Sequence, residues 1–125
     1  MSGSLDIYID NRYISLMQTM REPTYFTLAA LLDGPLHGYA ITKRAETVSD
    51  GRVRLTAGTL YSALERLLGQ GLVEVDGEEV VDGRARRYYR LTSSGRRALE
   101  AEAARLADAA AVVVSRMSAA PEPAA

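Results

Sequence analysis

The sequence predicts a mainly α, α+β chain: a winged helix-turn-helix with a C-terminal dimerisation helix. Three observations carry this. Three helical stretches follow one another between residues 23 and 71, and two extended stretches succeed them between residues 72 and 91. A last helical stretch then repeats its apolar residues by fours and threes, the spacing of a helix-pairing seam. At 125 residues and 47% hydrophobic content the chain has room for one core of ordinary size, so the elements are read as one domain with appendages.

Residues 1–20 form an N-terminal extension whose apolar spacing fits neither helix nor strand. It is either tag-like, an overlong start, or an extra helix at a dimer surface. The winged-helix domain is placed at 21–91. Pro23 suits the first turn of a helix, where its missing N–H is not needed, and Tyr25, Leu28, Ala29, Leu31 and Leu32 mark the inward face. Asp33, Gly34 and Pro35 end that helix. A second, short helix starts near His37 and ends before Gly51, carrying Tyr39, Ile41, Ala45 and Val48. Thr56 is a good N-cap for the third, in which Leu60, Leu64, Leu67 and Leu68 recur at helical spacing until Gly71.

Leu72, Val73 and Val75 alternate with Glu74 and Asp76, and Tyr89 and Leu91 share a parity in a second extended run. The intervening segment, from Gly77 through Gly83 and Arg84, reads as a long polar connection with a mobile, solvated tip. Thr92 caps the closing helix, placed at 92–118, with its seam at Leu99, Ala103, Leu106, Ala110, Val113 and Met117. Residues 119–125, rich in Ala and Pro, have nothing to bury and are expected to be disordered.

Composition removes several function classes. There is no cysteine, so disulfides, thiolate metal sites and cysteine nucleophiles are excluded, and a cytoplasmic location is expected. No apolar stretch reaches the roughly 20 residues of a membrane span. The single histidine, His37, follows a turn, where a helix-start or hydrogen-bonding role outweighs catalysis. A general base would need a nucleophile or metal beside it, and no such set can be assembled. The chain is therefore not read as an enzyme, and no cofactor or metal is expected. A net charge of −1 offers no global attraction for nucleic acid, so any such role rests on local charge.

Local charge is present. The third helix opens with Thr56, Ala57, Gly58, Thr59, Tyr61 and Ser62, small or hydroxyl-bearing residues that let a helix N-terminus approach phosphate. Thr56, Thr59, Tyr61 and Ser62 are the candidate reading head, although Thr56 could serve only as a cap and Tyr61 only as a packed aromatic. Arg84, Arg86, Arg87 and Arg90 crowd the outgoing limb of the hairpin around Tyr88 and Tyr89. Arg84, Arg86 and Arg87 are the candidate phosphate contacts. Glu78, Glu79 and Asp82 lie close enough in sequence to neutralise them. Lys43 and Arg44, with Arg52 and Arg54, would add contacts beside the groove.

At Gly34-Pro35-Leu36-His37-Gly38-Tyr39, at Gly58-Thr59-Leu60-Tyr61 with Leu64, Arg66, Leu67, Gly71 and Leu72, and at Arg84 to Tyr89 with Leu91, Thr92 and Gly95, the chain resembles the PadR family of bacterial transcriptional regulators. The resemblance covers about residues 21 to 117. It implies a homodimeric repressor of double-stranded DNA, with the third helix in the major groove, the wing on flanking DNA and the last helix pairing the subunits. It implies that Thr59, Tyr61 and Ser62 face DNA and that Arg84, Arg86 and Arg87 hold phosphate. Ser62 stands where the family usually has proline. The single C-terminal helix matches the compact branch, and the absence of tryptophan puts a drug-sandwich pocket in doubt. A small-molecule effector is a further expected partner, of open identity. The rival reading is a winged helix used only for protein association.

Overall fold

The computed structural model describes residues 20–118. The expectations for the N-terminal extension and the C-terminal tail lie outside the described residues, except at Met20. The element order is α1 (Glu22–Ala30), β1 (Leu36–His37), α2 (Gly38–Val48), α3 (Ala57–Gly69), β2 (Val73–Val81), β3 (Arg84–Leu91) and α4 (Ser93–Ser118). The strands form one antiparallel sheet in the order β1-β3-β2.

Each helix starts and stops for a local reason. Pro23 lies in the first turn of α1, and the Thr27 hydroxyl donates back to the Pro23 carbonyl at 2.8 Å. α2 is capped by His37, whose Nδ1 accepts from the Ala40 N–H at 3.4 Å. α3 is capped by Thr56, whose hydroxyl accepts from the Thr59 N–H at 3.2 Å. The far end of α3 closes with Leu72 N–H donating to the Leu67 carbonyl and Gly71 N–H to the Leu68 carbonyl. That double bond pattern needs a left-handed residue, and Gly71 has φ +73°. Thr92 caps α4 by accepting from the Gly95 N–H at 2.9 Å, while its hydroxyl donates to the Gly71 carbonyl at 2.6 Å. One threonine thus ties the start of α4 to the end of α3.

The core gathers the inward face of every helix: Leu28 of the first with Leu31 just after it, Ile41 of the second, Leu60, Leu64 and Leu67 of the third, and Val73 of β2 are essentially inaccessible. Tyr89 and Leu99 close it from the sheet and from α4. Burial of each large side chain contributes about 1.5–3 kcal/mol. Gly95 lets α4 cross the strand entrance, because a β-carbon there would overlap the Leu72 carbonyl oxygen.

Two sequence expectations are corrected. The hairpin has no long connection: β2 continues to Val81, which pairs with Arg84 across a turn made of Asp82 and Gly83 alone. Both have positive φ, +52° and +76°, the conformation of a tight turn whose twist matches the strands. The acid-rich stretch is strand, with the irregularity displaced to a bulge between Val75 and Gly77. The second correction is β1, which the sequence reading did not contain. Leu36 pairs with Tyr89 and His37 with Tyr88, so the base of the wing is a three-stranded sheet.

Candidate nucleic-acid interface

The first turn of α3 stands clear of the core. Thr56, Ala57, Gly58, Thr59, Tyr61 and Ser62 are all exposed, whereas Leu60, Ala63 and Leu64 point inward. The Thr56 hydroxyl is engaged twice, accepting from the Thr59 N–H and donating to the Thr59 hydroxyl at 3.0 Å. Thr56 is therefore spent on the helix, and the Thr59 hydroxyl keeps its own proton for an outside acceptor.

Tyr61 leans from α3 across the start of α2. A β-carbon on Gly38 would overlap its hydroxyl and lie 3.0 Å from Cζ, so the absence of a side chain at Gly38 makes the seat for that ring. Above this seat is a cleft of about 530 Å³ lined by His37, Gly38 and Tyr39, by Tyr61, and by Arg84, Arg86 and Arg87 of the wing. Tyr61 of the reading head and the wing therefore face one common space, whereas Thr56, Thr59 and Ser62 line a separate groove on the other flank of α3. The His37 ring packs edge-on against Tyr88, and burial together with the Arg86 charge holds its imidazole below the usual range. It is thus neutral at pH 7, as an Nδ1 that accepts a hydrogen bond must be.

On the wing the guanidinium groups divide in two. Arg87 Nε donates to Glu78 at 3.2 Å, and Arg90 pairs with Glu74 and Asp76 at the hairpin base. Among the described residues Arg84 and Arg86 have no ion-pair partner. Of the acids that the sequence placed near these cations, Glu78 takes Arg87, and Glu79 accepts from the Tyr88 hydroxyl at 2.7 Å, which pushes that phenol upward. Beside the cleft, Lys43 lies 5.9 Å over the Tyr39 ring, and Arg44 donates to Asp33 at 3.0 Å. Arg52 pairs with Glu22, and Arg54 lies 3.8 Å from Glu46.

The other flank of α3 holds residues that the sequence reading did not single out for contact. Arg21, Thr24 and Arg66 share a shallow groove with Thr56, Thr59 and Ser62, and Arg66 donates to the Thr24 hydroxyl at 2.9 Å. The available signal was helical spacing, since Arg66 lies one turn beyond Ser62 on the same face.

The seam divides along α4. Leu99 is 4% exposed and belongs to the protomer's own core, so it is not offered to a partner. Ala103 is half-buried. Leu106, Ala110, Val113 and Met117 are exposed and stand on one stripe, flanked by Val112 and Val114. Just before that stripe Glu102, 6% exposed, is gripped by Arg105 through two bonds at 3.0 and 2.7 Å. Those bonds and the Met20 backbone hold its carboxyl below the usual range against the opposing effect of burial.

Comparison with known proteins gives concordant matches. The transcriptional regulator PadR-like family matches over residues 27–101. The transcriptional regulator Rv3488 of Mycobacterium tuberculosis is 41% identical over 86 residues, which make up 69% of this chain and 77% of that protein. An uncharacterized 37.1 kDa protein in transposon TN4556 of Streptomyces fradiae is 50% identical over 76 residues, 61% of this chain but only 20% of that much longer relative. Among solved structures, Bacillus subtilis PadR in complex with operator DNA is similar with a TM-score of 0.57 at 25% identity, covering 64% of this chain and 46% of that one. A PadR family transcriptional regulator from Eggerthella lenta is similar with a TM-score of 0.56 at 28% identity, covering 92% and 91%. Among the described residues no helix is long and apolar enough to cross a membrane.

Proposed function

This chain belongs to the transcriptional regulator PadR-like family, and on that premise we propose that it is a cytoplasmic homodimeric repressor that binds double-stranded DNA sequence-specifically. Its work is regulation by binding, not catalysis. The observation that carries the reading is the shared cleft, in which Tyr61 of α3 and Arg84, Arg86 and Arg87 of the wing converge. A helix tip that reads base edges and a wing that holds flanking phosphate must meet the same duplex face to act together. A similar protein, Bacillus subtilis PadR, has been seen with operator DNA, which supports the same partner here.

The roles follow from the free valences. Thr59 and Ser62 donate to base edges or backbone, Tyr61 adds its ring and hydroxyl, and Thr56 acts as the cap that aims them. Arg84 and Arg86, which have no ion-pair partner among the described residues, take phosphate first. Arg87 and Arg44 follow, their charge already partly met by Glu78 and Asp33, and Lys43 adds a flanking cation.

Dimerisation is supported by α4 itself. From Ala104 to Ser118 every residue is exposed, and the stripe of Leu106, Ala110, Val113 and Met117 is left uncovered among the described residues. A projecting helix with three consecutive valines is marginal in water unless a second helix covers it. Two copies joined there present two α3 helices, with half-sites about one helical turn, roughly 34–36 Å, apart. A small-molecule effector completes the reading as the agent of release, its chemistry unassigned.

Titration of the full chain against a duplex from its own upstream region and against random-sequence duplex tests the proposal. Preference for the former, weakening with added salt, supports it. Equal affinity for both, or none for either, refutes it.

A further inference from the structure

The wing that should be the basic arm of this protein is not basic. Between Val73 and Leu91 it carries five carboxylates, Glu74, Asp76, Glu78, Glu79 and Asp82, against four guanidinium groups, Arg84, Arg86, Arg87 and Arg90, a formal charge of −1. The placement is specific. Counted outward from the Asp82-Gly83 turn, strand register sets Glu78 opposite Arg87 and Glu79 opposite Arg86. Glu78 occupies Arg87 at 3.2 Å, and Glu79 occupies the Tyr88 hydroxyl at 2.7 Å. The Arg87 guanidinium, a candidate phosphate contact, and the neighbouring Tyr88 hydroxyl are thus held by carboxylates, whose anionic oxygens are acceptors of the kind a phosphate offers.

We propose that Glu78 and Glu79 are specificity-determining residues: they act as internal phosphate mimics that hold Arg87 and Tyr88 back from arbitrary duplex. The inference rests on the DNA-binding reading above. Its physical basis is competition. Any duplex offers phosphate, and non-specific affinity is almost wholly the cation–phosphate contribution. A guanidinium already bonded to a carboxylate gains little by changing partners, and the exchange leaves that carboxylate facing a phosphate. Random duplex therefore engages Arg84 and Arg86 but gains little from Arg87. At a correct site the α3 contacts hold the wing against the backbone long enough for the exchange to become favourable. Exposed ion pairs of this kind are weak individually, so the restraint is graded and not a lock.

The test uses the full chain with Glu78→Gln and Glu79→Gln combined. Glu100→Gln, an exposed acid on α4 outside the wing, reports the effect of removing one remote carboxylate, half the charge change of the double variant. All three proteins are titrated with a short random-sequence duplex over a range of salt and eluted from heparin, a sulfated polyanion that carries no bases. The wing double variant should bind random duplex about tenfold more tightly, with a salt slope steeper by about one, and should elute from heparin at higher salt. Its preference for the upstream-region duplex should fall correspondingly. Tyr88→Phe, which frees Glu79 without changing charge, should leave random-duplex affinity at or below wild type.

A wing double variant indistinguishable from Glu100→Gln on both duplex and heparin overturns the inference while leaving the DNA-binding reading intact. Stronger heparin retention in a protein that binds no duplex in any form upholds the restraint and removes the DNA-binding reading instead. Both glutamates are exposed on a strand surface, and circular dichroism confirms that the variants remain folded.

Discussion

Gly38→Ala separates the seat of Tyr61 from the stability of the fold. The added methyl would overlap the Tyr61 hydroxyl and lie 3.0 Å from Cζ. Those atoms are the far end of a side chain that is 48% exposed, so the ring can swing outward. The strain is then limited to an unfavourable rotamer, about 0.5–1.5 kcal/mol, or a fall of several degrees in Tm for a domain of this size. The effect on DNA should be larger. A ring turned away from the cleft loses its contact with the duplex, a loss of about 1–3 kcal/mol, equivalent to roughly five- to 150-fold in Kd.

The assay is fluorescence anisotropy against the upstream-region duplex, with thermal denaturation of the same samples. In a Tyr61→Phe background the hydroxyl that meets the methyl is gone, so Gly38→Ala should lose much of its effect, a coupling that a double-mutant cycle measures. Wild-type affinity in Gly38→Ala, or full additivity with Tyr61→Phe, would refute the idea that Gly38 exists to seat this ring.

The remaining predictions use other named contacts. Gly95→Ala should destabilise the fold by about 3 kcal/mol or more, because its methyl meets the Leu72 backbone carbonyl and overpacking against backbone has no cheap escape; a Tm within a few degrees of wild type would contradict the crossing. Leu106→Asp should yield monomers by analytical ultracentrifugation with little change in protomer stability, since Leu106 lies outside the protomer core, and a persistent dimer would remove the α4 pairing. Arg84→Ala combined with Arg86→Ala should weaken all duplexes similarly and lower the salt slope by about two, whereas Thr59→Ala should hurt the preferred site more; the reverse pattern would exchange the roles of wing and helix. Glu102 has a depressed carboxyl in the folded state, so its contribution is complete at neutral pH and lost as pH falls from about 4.3 through the folded value. Urea melts across that window should show Glu102→Gln with a flatter pH dependence than wild type, and parallel curves would dismiss the Arg105 grip.

The helices were legible because each is announced locally: Pro23, Thr56 and Thr92 open three of them, Gly71 closes one, and the leucines of α3 keep strict helical spacing. His37, taken as a helix-start residue, does cap α2. The wing was less legible. The Asp82-Gly83 signal lay inside a run of acids whose polarity resembles a loop, although alternation across strand positions tolerates charge on both faces when the hairpin projects into water. β1 is too short to have a period and exists only because β3 offers it partners. Recognising the turn would have placed Glu78 and Glu79 opposite Arg87 and Arg86, and the bulge before Gly77 would still have hidden the register toward Val73. Leu99, expected at the start of the pairing seam, fits both a pairing stripe and the core, and its burial assigns it to the core.

The order β1-β3-β2 leaves β2 at the margin of the sheet, nine residues long, with Val75 and Val80 exposed at 42% and 74%. A long strand with unpaired backbone groups and surface valines is a template for self-association into fibrils. The bulge before Gly77 breaks its straight run, and the glutamates beside it set like charges against any second copy that approaches in register. Colloidal behaviour in concentrated solution is therefore coupled to the same short stretch that grades affinity, and neutralising it to strengthen binding should also make the protein prone to aggregate.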